Sequence, residues 1–148
     1  MKPRTLERST VLAAAPDAVW AVIGDFGAPA DWHPHLPPAT LEDGADPEVP
    51  GAVRVFSVDG TVVARERLIA RDPAARAYRY ALLEPVALAV HDYVATLAVH
   101  PHPEGAAVIW SAAYRSEDDA VPRVEALFGD ATYATGLAAL RARLTSSR

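Results

Sequence analysis

The feature that most constrains the fold is a series of five predicted strands, separated by tight turns, in the middle of the chain. Turn signals occur at Asp59-Gly60, Asp72-Pro73, Pro85 and Pro101, and Asp-Gly in particular is a strong signature of a two-residue hairpin. Strands spaced by about 8–12 residues and joined in this way are typical of an antiparallel meander. We predict these strands at 52–58, 61–71, 77–84, 91–100 and 106–115.

The segments before this series predict one further strand and several short elements. A strand is predicted at 5–14, followed by a short helix that Pro16 can open, because proline lacks the N–H that would be unpaired at a helix start. A second short helix at 29–32, a short strand at 40–43 and a flexible loop at 44–51 complete this part of the chain.

The segment 118–144 predicts the one long helix. Its apolar residues do not share a single face, since Tyr133 and Leu137 fall on one side and Val124 and Phe128 on a nearly opposite one. We therefore predict a kink or short break at Gly129-Asp130, with the glycine ending one segment and the aspartate capping the next.

These elements together predict an α+β fold with an internal pocket. An antiparallel sheet must cover one apolar face, and the helix at 118–144 is the one long element available for this. Because a strongly twisted sheet curves around such a helix, a cavity is expected where the helix stands off from the concave face. The whole chain, 1–148, is expected to form one domain.

The alternation of side chains along each strand predicts which residues face the pocket. The inward positions are mainly aromatic and aliphatic, with a few polar groups, as is usual for ligand pockets. The inward residues with polar chemistry or large rings are Glu66, Tyr78, Tyr80, His91, Tyr93 and Trp110.

Glu66 and His91 form the sharpest catalytic hypothesis. An apolar cavity disfavours the charged carboxylate, and a nearby imidazole could exchange protons with it, so the pair could serve as general acid and base. The alternative, which we favour, is a structural ion pair or a histidine at the solvated mouth. Tyr80 and Asp25 are further catalytic candidates, although a core role for the tyrosine and a turn role for the aspartate are the more common interpretations.

The composition excludes several classes of function. The formal net charge is −5 and no cluster of Lys and Arg is found, so no nucleic-acid partner is expected. The chain has no cysteine, which excludes disulfides and a thiol nucleophile. No apolar run approaches the roughly 20 residues of a membrane helix, and the polar N-terminus does not resemble a signal peptide. We expect a cytoplasmic protein without membrane insertion.

Two His-Pro-His runs raise the question of a metal. His33-Pro-His35 and His100-Pro-His102 could each direct two imidazoles to one side in extended chain. Both lie in proline-rich turns without a carboxylate at a diagnostic spacing, so solvated loop histidines are the favoured interpretation. We predict no metal site and no cofactor.

Several short segments resemble one known superfamily. Ala15-Pro16, Val19-Trp20, Asp25-Phe26-Gly27 and Trp32-His33-Pro34 resemble the opening of the START/Bet v 1-like (SRPBCC) proteins. The run from Tyr133 to Leu140 is similar to the C-terminal helix of the bacterial polyketide cyclase/dehydrase and lipid-transport branch. The resemblance implies a helix-grip fold, in which a strongly curved antiparallel sheet wraps around a long C-terminal helix and two short helices follow the first strand.

The resemblance implies a cavity but no shared reaction, since members of the superfamily bind lipids, hormones and polyketides and some catalyse cyclisation or dehydration. We expect a monomer or homodimer that binds a hydrophobic small molecule. A cofactor-free cyclase or dehydratase is the alternative, and a ligand-dependent interaction module is a second one. The expected ligand contacts are Phe26, Trp32, His33, Glu66, Tyr78, Tyr80, His91, Tyr93, Trp110 and Tyr133.

Overall fold

A computed structural model of the protein describes residues 1–86 and 88–145. Its centre is a seven-stranded antiparallel sheet with the strand order β1-β7-β6-β5-β4-β3-β2. The strands are β1 (Lys2–Leu12), β2 (Ala39–Leu41), β3 (Val53–Val58), β4 (Thr61–Asp72), β5 (Ala77–Leu83), β6 (His91–His102) and β7 (Gly105–Ser116). The predicted meander and the α+β helix-grip class are thereby confirmed.

The helices lie before and after the meander. Helix α1 spans Pro16–Ile23, and short 3-10 turns occupy Pro29–Asp31, Glu42–Gly44 and Asp118–Ala120. The C-terminal helix consists of α2 (Val121–Val124), a π-helical segment (Glu125–Ala134) and α3 (Thr135–Thr145). None of the helices in the described ranges is long and apolar enough to cross a lipid bilayer.

The predicted break at Gly129-Asp130 is wrong, because a π-helical segment continues through both residues. Val124 and Tyr133 are both buried against the sheet, although their separation of nine residues equals about two and a half α-helical turns. The wider π turn, with its i→i+5 hydrogen bonds, needs more residues per turn and brings the two side chains to the same face. One continuous helix can therefore cover the sheet along its length.

The turn between β3 and β4 shows how local sequence and sheet curvature combine. Asp59 and Gly60 have φ values of 51° and 79°, the left-handed conformation that two-residue hairpins require. The register then shifts, so that Phe56 lies opposite Ala64 and Arg54 opposite Glu66. A second shift follows at Leu68 in the pairing of β4 with β5. Two bulges in one strand increase its bend and twist, and this curves the sheet around the helix.

Candidate functional site

A cavity of about 180 Å³ lies between the concave face of the sheet and the π-helical segment. Its apolar wall includes Leu36, Phe56, Leu82, Trp110, Leu127 and Phe128. Its polar groups belong to Arg54, Glu66, Tyr80, Tyr93, Thr132 and Tyr133. Val63 and Leu127 also border it and are exposed, so they mark the side on which the cavity meets the solvent.

The strongest electrostatic feature of the cavity wall is a buried ion pair between Arg54 and Glu66. The two residues are direct neighbours across β3 and β4. The Arg54 Nε donates to Glu66 Oε1 at 2.8 Å, and Nη1 donates to the Phe26 carbonyl at 3.0 Å and to the Tyr78 hydroxyl at 3.3 Å. These bonds use Nε and Nη1, and within the described residues no hydrogen bond uses Nη2, which has two N–H groups that can donate.

Aromatic rings surround the Arg54 guanidinium. Its Cζ lies 4.3 Å from the ring centre of Phe26, 4.7 Å from that of Tyr80 and 5.5 Å from that of Phe56, distances at which a cation is attracted to the face of a ring. Burial acts to lower the pKa of Arg54, but the electrostatic influence of Tyr78, Glu66 and Tyr80 outweighs it and the pKa is raised. The guanidinium is therefore charged inside the protein.

Hydroxyl groups also line the cavity. The Trp110 indole Nε1 donates to the Tyr80 hydroxyl at 3.1 Å, and the hydroxyls of Tyr93 and Tyr133 share a hydrogen bond. Trp110 also stacks on Tyr133, with ring centres 4.4 Å apart. Burial raises the pKa of Tyr80, Tyr93 and Tyr133. All three phenols are therefore neutral at physiological pH and can donate hydrogen bonds.

His33 fixes the π-helical segment that forms one wall of the cavity. Its Nε2 donates to the backbone carbonyl of Thr132 at 2.7 Å, while its Nδ1 accepts from the backbone N–H of His35 at 3.1 Å. This pair of bonds selects the neutral tautomer with the proton on Nε2, and burial lowers the pKa of His33. Gly136 allows the close approach, since a Cβ there would lie 2.5 Å from His33 Cδ2.

Several residues that the sequence singled out meet around this cavity. Glu66, Tyr80, Tyr93, Trp110 and Tyr133 border it directly. Phe26, Trp32, His33 and Tyr78 do not line it. Phe26 and Tyr78 are buried and contact Arg54, and His33 contacts Thr132. Trp32 is 5% exposed and packs against Trp110 with ring centres 5.6 Å apart, so it lies in the core.

The expected inward orientation of His91 is wrong. A register shift separates the pairs His91–Arg115 and Val94–Ala113, and Asp92 has a φ of 53°. This bulge breaks the alternation that would place His91 on the face of Tyr93, and His91 is exposed. Within residues 1–86 and 88–145, no hydrogen bond or salt bridge joins His91 to Glu66. The acid–base pair proposed from the sequence is therefore not assembled.

Asp25 has the turn role that was weighed against catalysis. It is exposed, and its Oδ1 accepts the backbone N–H of Gly27 at 2.8 Å. Such Asx turns are a common use of aspartate after a helix.

The sequence reasoning missed Arg54. A signal was present, because Arg54 shares the inward alternation of Ala52 and Phe56 in the predicted strand 52–58, and all three are buried. A charged residue in an otherwise apolar inward phase indicates either a partner or a function. The described part of the chain contains no group of three or more potential metal-ligating side chains.

The fold and this cavity define a class of small α+β proteins with a ligand-sized space between a curved sheet and a C-terminal helix. Residues 3–145 match the polyketide cyclase / dehydrase and lipid transport family, and the chain belongs to this family. No curated protein matches the chain.

Solved structures agree with this assignment. A protein from Thermobifida fusca is 36% identical, with a TM-score of 0.87, over 95% of this chain and 92% of that one. The Zhui aromatase/cyclase of a Streptomyces species is 20% identical, with a TM-score of 0.74, over 97% of this chain and 94% of that one. Norcoclaurine synthase from Thalictrum flavum, in complex with dopamine and hydroxybenzaldehyde, is 20% identical, with a TM-score of 0.71, over 99% of this chain and 89% of that one. The last two similarities concern the fold alone.

Proposed function

We propose that this protein binds a compact hydrophobic molecule, with at least one oxygen substituent, in the cavity between the sheet and the C-terminal helix. The observation that carries the proposal is the combination of an apolar wall with inward hydrogen-bonding groups on Arg54, Glu66 and the tyrosines. Ligand pockets are commonly built in this way, with a few polar groups that orient an otherwise apolar guest.

The size of the cavity limits the ligand. An apolar cavity of about 150 Å³ accommodates benzene in other proteins, and the cavity here measures about 180 Å³. A molecule with one aromatic ring or a small two-ring system fits this space without rearrangement of the walls. A long acyl chain or a polycyclic ligand requires the helix or the loop at Leu36 to move outward.

The proposal can be tested with 4-fluoroacetophenone, a one-ring ketone that is observed directly by fluorine NMR. We expect the fluorine signal to show saturable binding to the wild type. In proton NMR of the protein, we expect a chemical-shift change at the Trp110 indole N–H. Ala64→Leu places extra carbon atoms in the cavity that Ala64 borders, and we expect it to weaken binding by at least about tenfold, equivalent to about 1.4 kcal/mol.

Ala70→Leu is the matched control, since Ala70 lies on the same strand but is exposed. We expect this variant to bind like the wild type. Equal binding by the wild type and Ala64→Leu, or no binding by the wild type, would contradict the proposal.

A cofactor-free cyclase or dehydratase is the second candidate function. It is supported by the family, whose description includes such enzymes, and by the placement of Arg54 and Glu66 at one cavity. In a dehydration, Arg54 would polarise a ketone and Glu66 would take the proton from the adjacent carbon. Glu66 would then return this proton to the β-hydroxyl group, which leaves as water, so that the carboxylate is regenerated.

This second function predicts that the wild type accelerates the loss of water from 4-hydroxy-4-phenylbutan-2-one. The appearance of the conjugated enone is followed by ultraviolet absorbance, and Arg54→Gln should abolish the acceleration. Binding of the ketone without any acceleration would leave ligand binding as the function.

A further inference from the structure

The ion pair at the cavity wall has a consequence for the kind of ligand that can enter. Arg54 Nε and Glu66 Oε1 are 2.8 Å apart, and the two side chains are 2% and 13% exposed. Both side chains border the cavity. Among the described residues, no hydrogen bond uses Arg54 Nη2 or the second oxygen of Glu66, so the pair retains both a hydrogen-bond donor and an acceptor for a ligand.

The charges on the cavity wall cancel. Arg54 and Glu66 are the charged residues that border it, and the remaining titratable side chains there are the phenols of Tyr80, Tyr93 and Tyr133. The phenols are neutral at physiological pH, because burial raises the pKa of each. A ligand therefore meets a polar wall without a net positive charge.

We infer that the cavity selects neutral oxygenated molecules, such as aromatic ketones, phenols and carboxamides, against carboxylates, and that Glu66 determines this selectivity. The inference rests on the proposed function, since it concerns the ligand of the same cavity.

The physical reason is the number of negative charges that one guanidinium must compensate. A carboxylate ligand next to Arg54 would also lie next to Glu66, so that two buried anions would share one cation. Like charges held close together in a poorly solvated site are strongly disfavoured. A neutral ketone can accept from Arg54 Nη2, and a hydroxyl or amide can donate to Glu66, without adding a charge.

The same reasoning explains why a buried arginine does not by itself predict an anion site. An arginine with no acidic partner in an apolar cavity attracts carboxylates, since the guanidinium matches their geometry. Here Glu66 already occupies Nε, and the Phe26 carbonyl and the Tyr78 hydroxyl occupy Nη1. The N–H edge of the guanidinium that could bind a carboxylate side-on is therefore partly occupied by protein groups.

The test compares 4-fluoroacetophenone with 4-fluorobenzoate, which share one ring and nearly the same shape but differ in charge at neutral pH. Fluorine NMR titrations give a dissociation constant for each probe. We expect wild-type protein to bind the ketone at least about tenfold more tightly than the carboxylate. In Glu66→Gln, which keeps the side-chain shape and removes the negative charge, we expect the carboxylate to become the preferred probe.

The double variant Arg54→Gln/Glu66→Gln is the matched control, because it removes both charges and should restore the preference for the ketone. Circular dichroism and thermal unfolding establish that each variant is folded. Glu66→Met, which is similar in length and also uncharged, is the second variant for the same comparison if Glu66→Gln does not fold.

The results separate this inference from the proposed function. Binding of both probes to the wild type with equal affinity overturns the charge selectivity and leaves ligand binding intact. A wild-type preference that Glu66→Gln does not change overturns the role of Glu66. Binding of neither probe to the wild type overturns the proposed function together with the inference.

Discussion

The buried ion pair between Arg54 and Glu66 predicts different stability losses for two changes: removing one partner, and replacing both partners by apolar side chains. In Glu66→Leu, Arg54 keeps its charge, since arginine is not deprotonated in proteins, and this charge stays in a site where the side chain is only 2% exposed. Removing one partner of a buried pair typically costs about 3–5 kcal/mol, because the other charge is left uncompensated. The partial exposure of Glu66 to the cavity favours the lower end, about 3 kcal/mol.

Arg54→Met/Glu66→Leu should be much less destabilised than the single variant. It replaces both charges by side chains of similar volume, and such replacements are often neutral. Tyr78 and the Phe26 carbonyl lose a donor, which adds a cost of about 1–2 kcal/mol. The double variant should therefore unfold at a higher denaturant concentration than Glu66→Leu, although it carries one more substitution.

Urea unfolding at neutral pH, followed by far-ultraviolet circular dichroism, measures both free energies. A loss of about 3 kcal/mol corresponds to a decrease in the melting temperature of roughly 6–12 °C for a chain of this size. The half-buried pair Arg65–Glu42, with side-chain exposures of 32% and 35%, is the more solvated control, and Glu42→Leu should cause a smaller loss. The reasoning is refuted if the double variant is less stable than Glu66→Leu, or if Glu66→Leu is as stable as the wild type.

Two further predictions concern the packing of the C-terminal helix. Because burial lowers the pKa of His33 in the folded state, protonation favours the unfolded chain, and the free energy of unfolding should fall as the pH decreases below about 6.5. Urea unfolding at about pH 7.5 and 5.5 should show a smaller difference between the two pH values in His33→Gln than in the wild type. Equal differences in the two proteins would contradict this. Gly136→Ala should destabilise the protein by about 1–3 kcal/mol through overpacking, because the added Cβ meets a ring held in the core. Gly129→Ala should cost less, since the nearest group to its added Cβ is the end of the flexible Arg8 side chain; a larger loss in Gly129→Ala than in Gly136→Ala would count against this packing argument.

Local sequence was sufficient for most of the secondary structure. Asp59-Gly60 forces a tight hairpin, and the prolines and glycines at the other turns limit each strand. Strand 61–71 was therefore predicted within one residue of the observed Thr61–Asp72, and strand 77–84 within one residue of Ala77–Leu83. The order of these elements leaves one long helix to cover the sheet, so the α+β class and the space beneath the helix follow from the same signals.

Register was decided by tertiary structure. A two-residue turn alone would place Arg54 opposite Arg65, as it places Val58 opposite Thr61. The bulge between these points moves the pairing by one residue and places Arg54 opposite Glu66. Alternation within one strand carries no information about such a shift. The main ion pair of the site was therefore missed, although each of its residues lies in a correctly predicted strand.

The same limit explains the errors at His91 and in the C-terminal helix. Alternation of side chains along a strand predicts an inward His91, and 3.6 residues per turn predict a break near Gly129. Each rule assumes a regular backbone. The sheet introduces a bulge at Asp92, and the need to bury Val124 and Tyr133 on one surface selects a π-helical segment. The sequence alone determined the elements, their order and the aromatic character of the core. The irregularities that bring Arg54 to Glu66 and turn His91 to the solvent arose only when sheet and helix packed together, because their energy comes from contacts between residues far apart in the chain.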